Sequence, residues 1–183
     1  MDEEELLASV VGEPPPTYPE IVVADYDPAW PEWFARAEEQ IRAALGGKVL
    51  LLEHVGSTSV PELPAKPLID IDLVVADTTD EDAYVPPLEA AGYVLRVREP
   101  DWFEHRMLRG SDPPVNLHVF APECEEVDRM LAFRDWLRSN ADDRDLYARA
   151  KRDLAAKKWK YTQNYADAKS EVVGEIMERA LRQ

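Results

Sequence analysis

Two spacings of apolar residues divide the chain into elements. Unbroken apolar runs predict buried strands, whereas apolar residues three or four positions apart predict helices. Strand-like runs lie at 21–23, 49–55, 68–75, 93–97, 102–108 and 115–120. Helical spacing runs from 28 to 45, from 80 to 91, and in segments ending near 140, 159 and 181. This order predicts an α+β protein with a short mixed β-sheet, flanking helices and a C-terminal helical segment.

Proline, glycine and cap residues set the limits of the predicted parts. Asp27 and Pro28 are typical of an N-cap and a first helical position, and Gly46 predicts the end of that helix. Residues 1–20 combine an acidic run with three consecutive prolines, which predicts a flexible N-terminal arm. Residues 21–183 are expected to form a single domain.

The charge of the chain limits its partners. It has 37 acidic and 21 basic residues, a net charge of −16, which argues against general binding of nucleic acid. Acidic residues are spread along the whole chain, a pattern typical of halophilic proteins, and an ordinary acidic protein is the alternative. Cys124 is the single cysteine, so an internal disulfide and a multi-cysteine zinc site are excluded.

The sequence also bears on location. No apolar run approaches the roughly 18–20 residues that cross a bilayer. The N-terminus is acidic where a signal peptide is basic, so we expect a cytoplasmic protein without membrane contact. The pattern leaves both a monomer and a dimer open.

Two aspartates interrupt the clearest strand. Asp70 and Asp72 are two positions apart, so both side chains project from one face. Buried carboxylates are costly without a partner. A shared divalent cation, Mg²⁺ or Mn²⁺, would satisfy them, and the alternative is a structural ion pair with Lys66 or an arginine.

A glycine-serine turn precedes this strand. Gly56 allows the backbone to approach a ligand closely, and Ser57, Thr58 and Ser59 supply hydroxyl and N–H groups that can hold phosphate oxygens. Phosphoryl or nucleotidyl transfer requires metal ligands that face hydrogen-bond donors to the phosphate oxygens.

The pattern Gly56-Ser57, a gap, then Asp70-x-Asp72 resembles the signature of the nucleotidyltransferase superfamily. More narrowly, the stretch HVGSTSVPELPAKPLIDIDLVV is similar to the GrpB family. This similarity extends to segments 27–30, 116–120, 133–137 and 165–172. The resemblance implies a nucleotidyltransferase-like fold. It also implies metal-dependent transfer of a nucleoside monophosphate from an NTP, expected to be ATP, to a small-molecule acceptor. A variant of this reaction would activate a carboxylate for amide ligation.

One position departs from the superfamily pattern. Active members place a third carboxylate on a later strand, whereas the matching strand here carries His118. An imidazole there could complete the metal site or deprotonate the acceptor, or it could be purely structural. The runner-up hypothesis is therefore a catalytically inactive nucleotide- or metabolite-binding protein on the same fold.

Basic residues would neutralise the phosphates. Lys66, Arg134 and Lys169 are expected at the site, and Lys151 also matches a family position. Ordinary solvated helix charges are the alternative for the lysines on helices. His105, which alternates with Arg106, is expected to face the opposite side.

Overall fold

Five strands form one mixed sheet in the computed structural model, which describes residues 1–182. They are β1 Leu51–Val55, β2 Ile69–Val74, β3 Tyr93–Glu99, β4 His105–Ser111 and β5 Pro114–Phe120. Their order across the sheet is β1-β2-β5-β4-β3. The β2–β5 pair is parallel and the other neighbouring pairs are antiparallel. The prediction of a mixed sheet in an α+β fold is confirmed.

Seven helices accompany the sheet in the described part of the chain. They are α1 Glu3–Ser9, α2 Trp30–Leu45, α3 Val85–Ala90, α4 Glu125–Ser139, α5 Ala141–Ala155, α6 Thr162–Ala168 and α7 Ser170–Ala180. The main core joins α2 and α3 to one face of the sheet. The C-terminal helices form a second core with the loop after β1, through Val60 and Leu63.

The alternating directions of the side chains along β2 determine which face of the sheet carries the polar site residues. Ile69, Ile71 and Leu73 are fully buried in the main core. Because successive side chains project to opposite faces, Asp70 and Asp72 face away from that core. The polar site therefore lies on the face opposite α2.

Several predicted boundaries are wrong for local reasons. Residues 21–23 form no strand, and Ala24 alone bridges to Ala65. Helix α2 begins at Trp30 because Asp27 accepts a hydrogen bond from the backbone of Ala29, which forms a turn first. The strand expected from 102 begins at His105, since a turn occupies 101–104.

The segments expected to be single helices are also divided. A 3₁₀ turn, Glu81–Ala83, precedes α3, and the last predicted helix is split into α6 and α7 at Lys169. A proline pair at the start of α3 fits this division, because proline is tolerated only in the first turn of a helix.

Residues 1–20, expected to be a flexible arm, make specific contacts with the rest of the domain. Asp2 caps α1 with a complete capping box. Val10 bridges to Val97 of β3, and Glu3 accepts hydrogen bonds from Lys160 at 2.6 Å. The segment therefore lies along the domain, from β3 to α6. Gln183, the end of the predicted domain, lies outside the described residues.

Among residues 1–182, helices of the length and apolarity required to span a bilayer are not found.

Candidate functional site

A cavity of about 530 Å³ lies between the polar face of the sheet, the C-terminal helices and the N-terminal segment. It is lined by many residues, among them Ser57, Lys66, Asp70, His118, Lys151 and Lys169. The N-terminal segment contributes Leu6, Ser9, Val10, Pro15, Pro16 and Pro19. Most of the site residues predicted from the sequence therefore line one cavity. The N-terminal segment, which was not predicted to lie there, forms one of its walls.

Gly56 sets the contact between the turn and Asp70. Its φ of 70° and ψ of −173° are accessible essentially to glycine alone. A Cβ added there would lie 2.7 Å from Oδ2 of Asp70. Ser57 and Thr58 line the cavity and Ser59 does not, but the hydroxyl of Thr58 bonds His54 at 2.9 Å and that of Ser59 donates to the carbonyl of Gly56. The latter two hydroxyls therefore stabilise the turn.

Asp72 is the most unusual group near the cavity. It is 0% exposed, and neither carboxylate oxygen has a hydrogen-bond partner among the described residues. Burial raises the pKa of Asp72 to about 7, and the charge of Asp70 adds to the rise. A carboxylate in this position is satisfied either by a proton or by a cation.

The ligand types fit a divalent cation. Asp70 and Asp72 supply hard oxygens and His118 supplies a nitrogen, a set that suits Mn²⁺ and, through its oxygens, Mg²⁺. Within residues 1–182, no group of three or more His, Cys, Asp or Glu side chains is arranged as a metal site. The orphaned oxygens of Asp72 are the observation that favours a cation beside Asp70.

His118 lies where the sequence predicted it, on the strand beside β2 and paired with Asp72 in register. Its Nε2 is 3.4 Å from Oδ1 of Asp70. Burial opposes protonation of His118, but the hydrogen bond to Asp70 and the nearby carboxylates outweigh it, so the pKa is raised. Its Nδ1 lies 3.0 Å from Nε2 of His105, which in turn bonds Glu99 at 2.7 Å.

His105 faces the side of the sheet opposite Arg106, as expected: Arg106 binds Glu81 at 2.6 Å, whereas His105 contacts His118. Burial lowers the pKa of His105 to about 4, so the ring is neutral near pH 7. Strand alternation gives the relative facing of two neighbours, and only the sheet pairing shows which neighbour faces the site.

Three lysines form the basic wall of the cavity. Lys66, Lys151 and Lys169 all line it, and none forms an ion pair in the described part of the chain. Lys151 is 3% exposed and donates to Ser57 Oγ at 2.8 Å and to the carbonyl of Pro64. Burial lowers the pKa of Lys151 to about 7. Unpaired cations in so acidic a chain indicate a site for an anion.

The structure does not bring Arg134 to this cavity. Arg134 donates to Glu53 at 2.7 Å and to the carbonyl of His54 at 3.1 Å. It lines a second cavity of about 480 Å³, beside Arg138. Helix α4 packs against β1 there, and the helical spacing of Arg134 could not show which cavity α4 would border. The prediction that places Arg134 with the phosphate-binding residues is corrected accordingly.

Comparisons with known proteins agree with this architecture. A family model described as GrpB protein matches residues 20–179. A UPF0157 protein of Halalkalibacterium halodurans is 58% identical over 97% of this chain and 91% of its own length. The crystal structure of the conserved protein GrpB from Enterococcus faecalis has a TM-score of 0.73 and 31% identity, covering 88% of this chain and 98% of that one.

A more distant likeness concerns the fold alone. The structure of Cid1 in complex with its short product ApU matches with a TM-score of 0.53 at 12% identity, covering 70% of this chain and 42% of Cid1. The sheet and its flanking helices therefore resemble the fold of Cid1. The family match, the Halalkalibacterium halodurans relative and the Enterococcus faecalis structure together establish that the chain belongs to the GrpB family.

Proposed function

We propose that this protein is a metal-dependent nucleotidyltransferase that transfers a nucleoside monophosphate from an NTP, expected to be ATP, to a small-molecule acceptor. The observation that carries the proposal is one cavity in which Asp70 and His118 face Ser57 and three unpaired lysines. Carboxylates toward a cation and ammonium groups toward phosphates are the two halves of such a site.

The reaction is a substitution at the α-phosphorus. An oxygen of the acceptor forms a bond to that phosphorus, the bond to the bridging oxygen of the β-phosphate breaks, and pyrophosphate leaves. With a hydroxyl acceptor, the proton passes to a base in the site or to water. With a carboxylate acceptor, no proton is lost, and an amine can then displace AMP to give an amide.

The residues divide this work. Asp70, Asp72 and His118 would hold a divalent cation, which neutralises charge on the phosphate oxygens when bound. Lys151 donates to Ser57 Oγ, so the hydroxyl hydrogen of Ser57 remains available to a phosphate oxygen. The ammonium groups of Lys66 and Lys169 attract the β- and γ-phosphates.

The size of the cavity supports a small acceptor. Its volume of about 530 Å³ must hold the nucleotide and the acceptor together. The N-terminal segment forms one wall, through Leu6 and Pro15 among others, which narrows the space in which a polymer could lie. The strong negative charge of the chain also disfavours a nucleic-acid acceptor.

The test is a search for turnover. The purified protein is incubated with each NTP, Mg²⁺ or Mn²⁺ and a small-molecule cell extract, while pyrophosphate and new adducts are followed by mass spectrometry. We expect pyrophosphate and a nucleotidylated product, or AMP together with an amide. Nucleotide binding without pyrophosphate under any condition would contradict the proposal and identify the binding protein named above as the runner-up.

Lys151 gives a prediction about pH. At pH 8 the side chain of Lys151 is mostly a neutral amine, because its pKa is about 7. A bound triphosphate favours the charged ammonium form. Binding of a non-hydrolysable ATP analogue should therefore take up about one proton and weaken as the pH rises from about 7 to about 9. Calorimetry in two buffers of different ionisation enthalpy measures this uptake.

Two variants make that measurement specific. Lys151→Met should remove the proton uptake and weaken binding about tenfold, the size of one charge-assisted hydrogen bond. The matched control is Lys157→Met, since Lys157 is exposed. Equal proton uptake by wild type and Lys151→Met would show that Lys151 does not meet the phosphates.

A further inference from the structure

A line of three side chains leads from the edge of the sheet into the site. Glu99 ends β3, His105 begins β4 and His118 lies on β5. Oε2 of Glu99 is 2.7 Å from Nδ1 of His105, and Nε2 of His105 is 3.0 Å from Nδ1 of His118. The proposed function uses His118 alone, so Glu99 and His105 have no task in it.

The positions of the hydrogens follow from the donor and acceptor inventory. A carboxylate only accepts, so Nδ1 of His105 carries a hydrogen and donates it to Glu99. Whenever His105 carries a single ring hydrogen, its Nε2 has a lone pair 3.0 Å from Nδ1 of His118, which must then donate a hydrogen to it. Nε2 of His118 lies 3.4 Å from Oδ1 of Asp70 and donates to it when the ring is protonated on both nitrogens. When that nitrogen carries no hydrogen, two lone pairs oppose each other across this gap.

Packing holds the middle ring in place. His105 is 4% exposed. Its ring stacks on Phe120 at 4.9 Å between centroids and meets the edge of Trp102 at 5.1 Å. The ring of His118 lies nearly parallel to it, at 5.2 Å and 21°. These contacts hold the ring of His105 in the orientation that both of its hydrogen bonds require.

We infer that Glu99 and His105 are positioning residues that keep a hydrogen on Nδ1 of His118 and so reserve its Nε2 for a divalent cation shared with Asp70. The inference rests on the proposed function for the purpose of that cation. Histidines that bind metals commonly donate their other N–H to a second group, which fixes the tautomer and the ring orientation. Here the second group is a histidine, oriented in turn by a carboxylate.

The first test needs neither a nucleotide nor a metal. Long-range ¹H–¹⁵N spectra of the imidazoles, recorded at alkaline pH on metal-free protein, show which nitrogen carries the hydrogen. We expect Nδ1–H in both His105 and His118. An Nε2–H form of neutral His118 would overturn the inference, whether or not the protein turns over nucleotides.

The second test measures Mn²⁺ affinity by electron paramagnetic resonance. In Glu99→Gln the amide can donate as well as accept, so it no longer dictates the tautomer, and Mn²⁺ should bind about tenfold more weakly. The control is Asp101→Asn, which removes the same charge from an exposed neighbouring position and should leave the affinity within about twofold of wild type.

The outcomes separate the inference from the proposed function. Weaker Mn²⁺ binding in Glu99→Gln alone supports the inference even if no acceptor is ever found. If both variants lost Mn²⁺ affinity equally, the loss would come from the removal of a negative charge in general, and the inference would be overturned. Unchanged affinity in Glu99→Gln, or no Mn²⁺ binding by wild type, would overturn it as well.

Discussion

Asp70→Asn should reduce pyrophosphate release about 100- to 1000-fold while the protein stays folded. Asp70 is the carboxylate at the cavity that approaches both Gly56 and His118. An amide of the same shape keeps the packing but lacks the charge, and loss of one electrostatic contact to a reacting phosphate costs this much. The measurement is the initial rate of pyrophosphate release at saturating NTP, with the thermal unfolding midpoint recorded beside it.

Asp145→Asn is the matched control for this variant, since Asp145 is exposed on α5. It makes the same chemical change away from the cavity and should retain the wild-type rate. A rate in Asp70→Asn within about threefold of wild type would mean that Asp70 is not at the reacting phosphate.

Gly56→Ala should damage stability and function together. Its backbone lies where only glycine is unstrained, and the new methyl group would press on the carboxylate of Asp70. Strain and overpacking together should cost about 3 kcal/mol, which lowers the unfolding midpoint by roughly 10 °C in a domain of this size. Differential scanning calorimetry measures the shift, and the pyrophosphate assay measures the loss of activity.

Gly174→Ala separates this effect from glycine replacement in general. Gly174 lies within α7, and a Cβ there would meet nothing within 4 Å. Alanine should raise the free energy of unfolding by about 0.5–1 kcal/mol, because it favours the helix. If Gly56→Ala proved as benign as Gly174→Ala, the close approach of the turn to Asp70 would be unimportant.

Local sequence patterns were sufficient to predict the fold class and the part of the site formed by the turn after β1 and by β2. The two-residue period places Asp70 and Asp72 on one face, and the family signature ties them to Gly56 and Ser57. The observed strand β2 and the turn before it agree with both. These features depend only on neighbouring positions in the chain, so they can be predicted from the sequence without knowledge of distant contacts.

The remaining features depend on distant partners. Glu3 and Lys160 are 157 positions apart, so the folded N-terminal segment could not be predicted from its own composition. Arg134 lies on a predicted helix, but only the packing of α4 against β1 shows that it pairs with Glu53. Likewise, the pairing of β4 with β5 is what turns His105 toward His118.

The parallel pairing of β2 with β5 has a consequence for protein synthesis. Asp70 and His118 are 48 positions apart and meet through these adjacent strands, with β3 and β4 between them in the chain. Lys151 reaches Ser57 from still further along, 94 positions away. A nascent chain on the ribosome therefore cannot assemble this centre until α5 has emerged, and translation products that stop earlier should be inert.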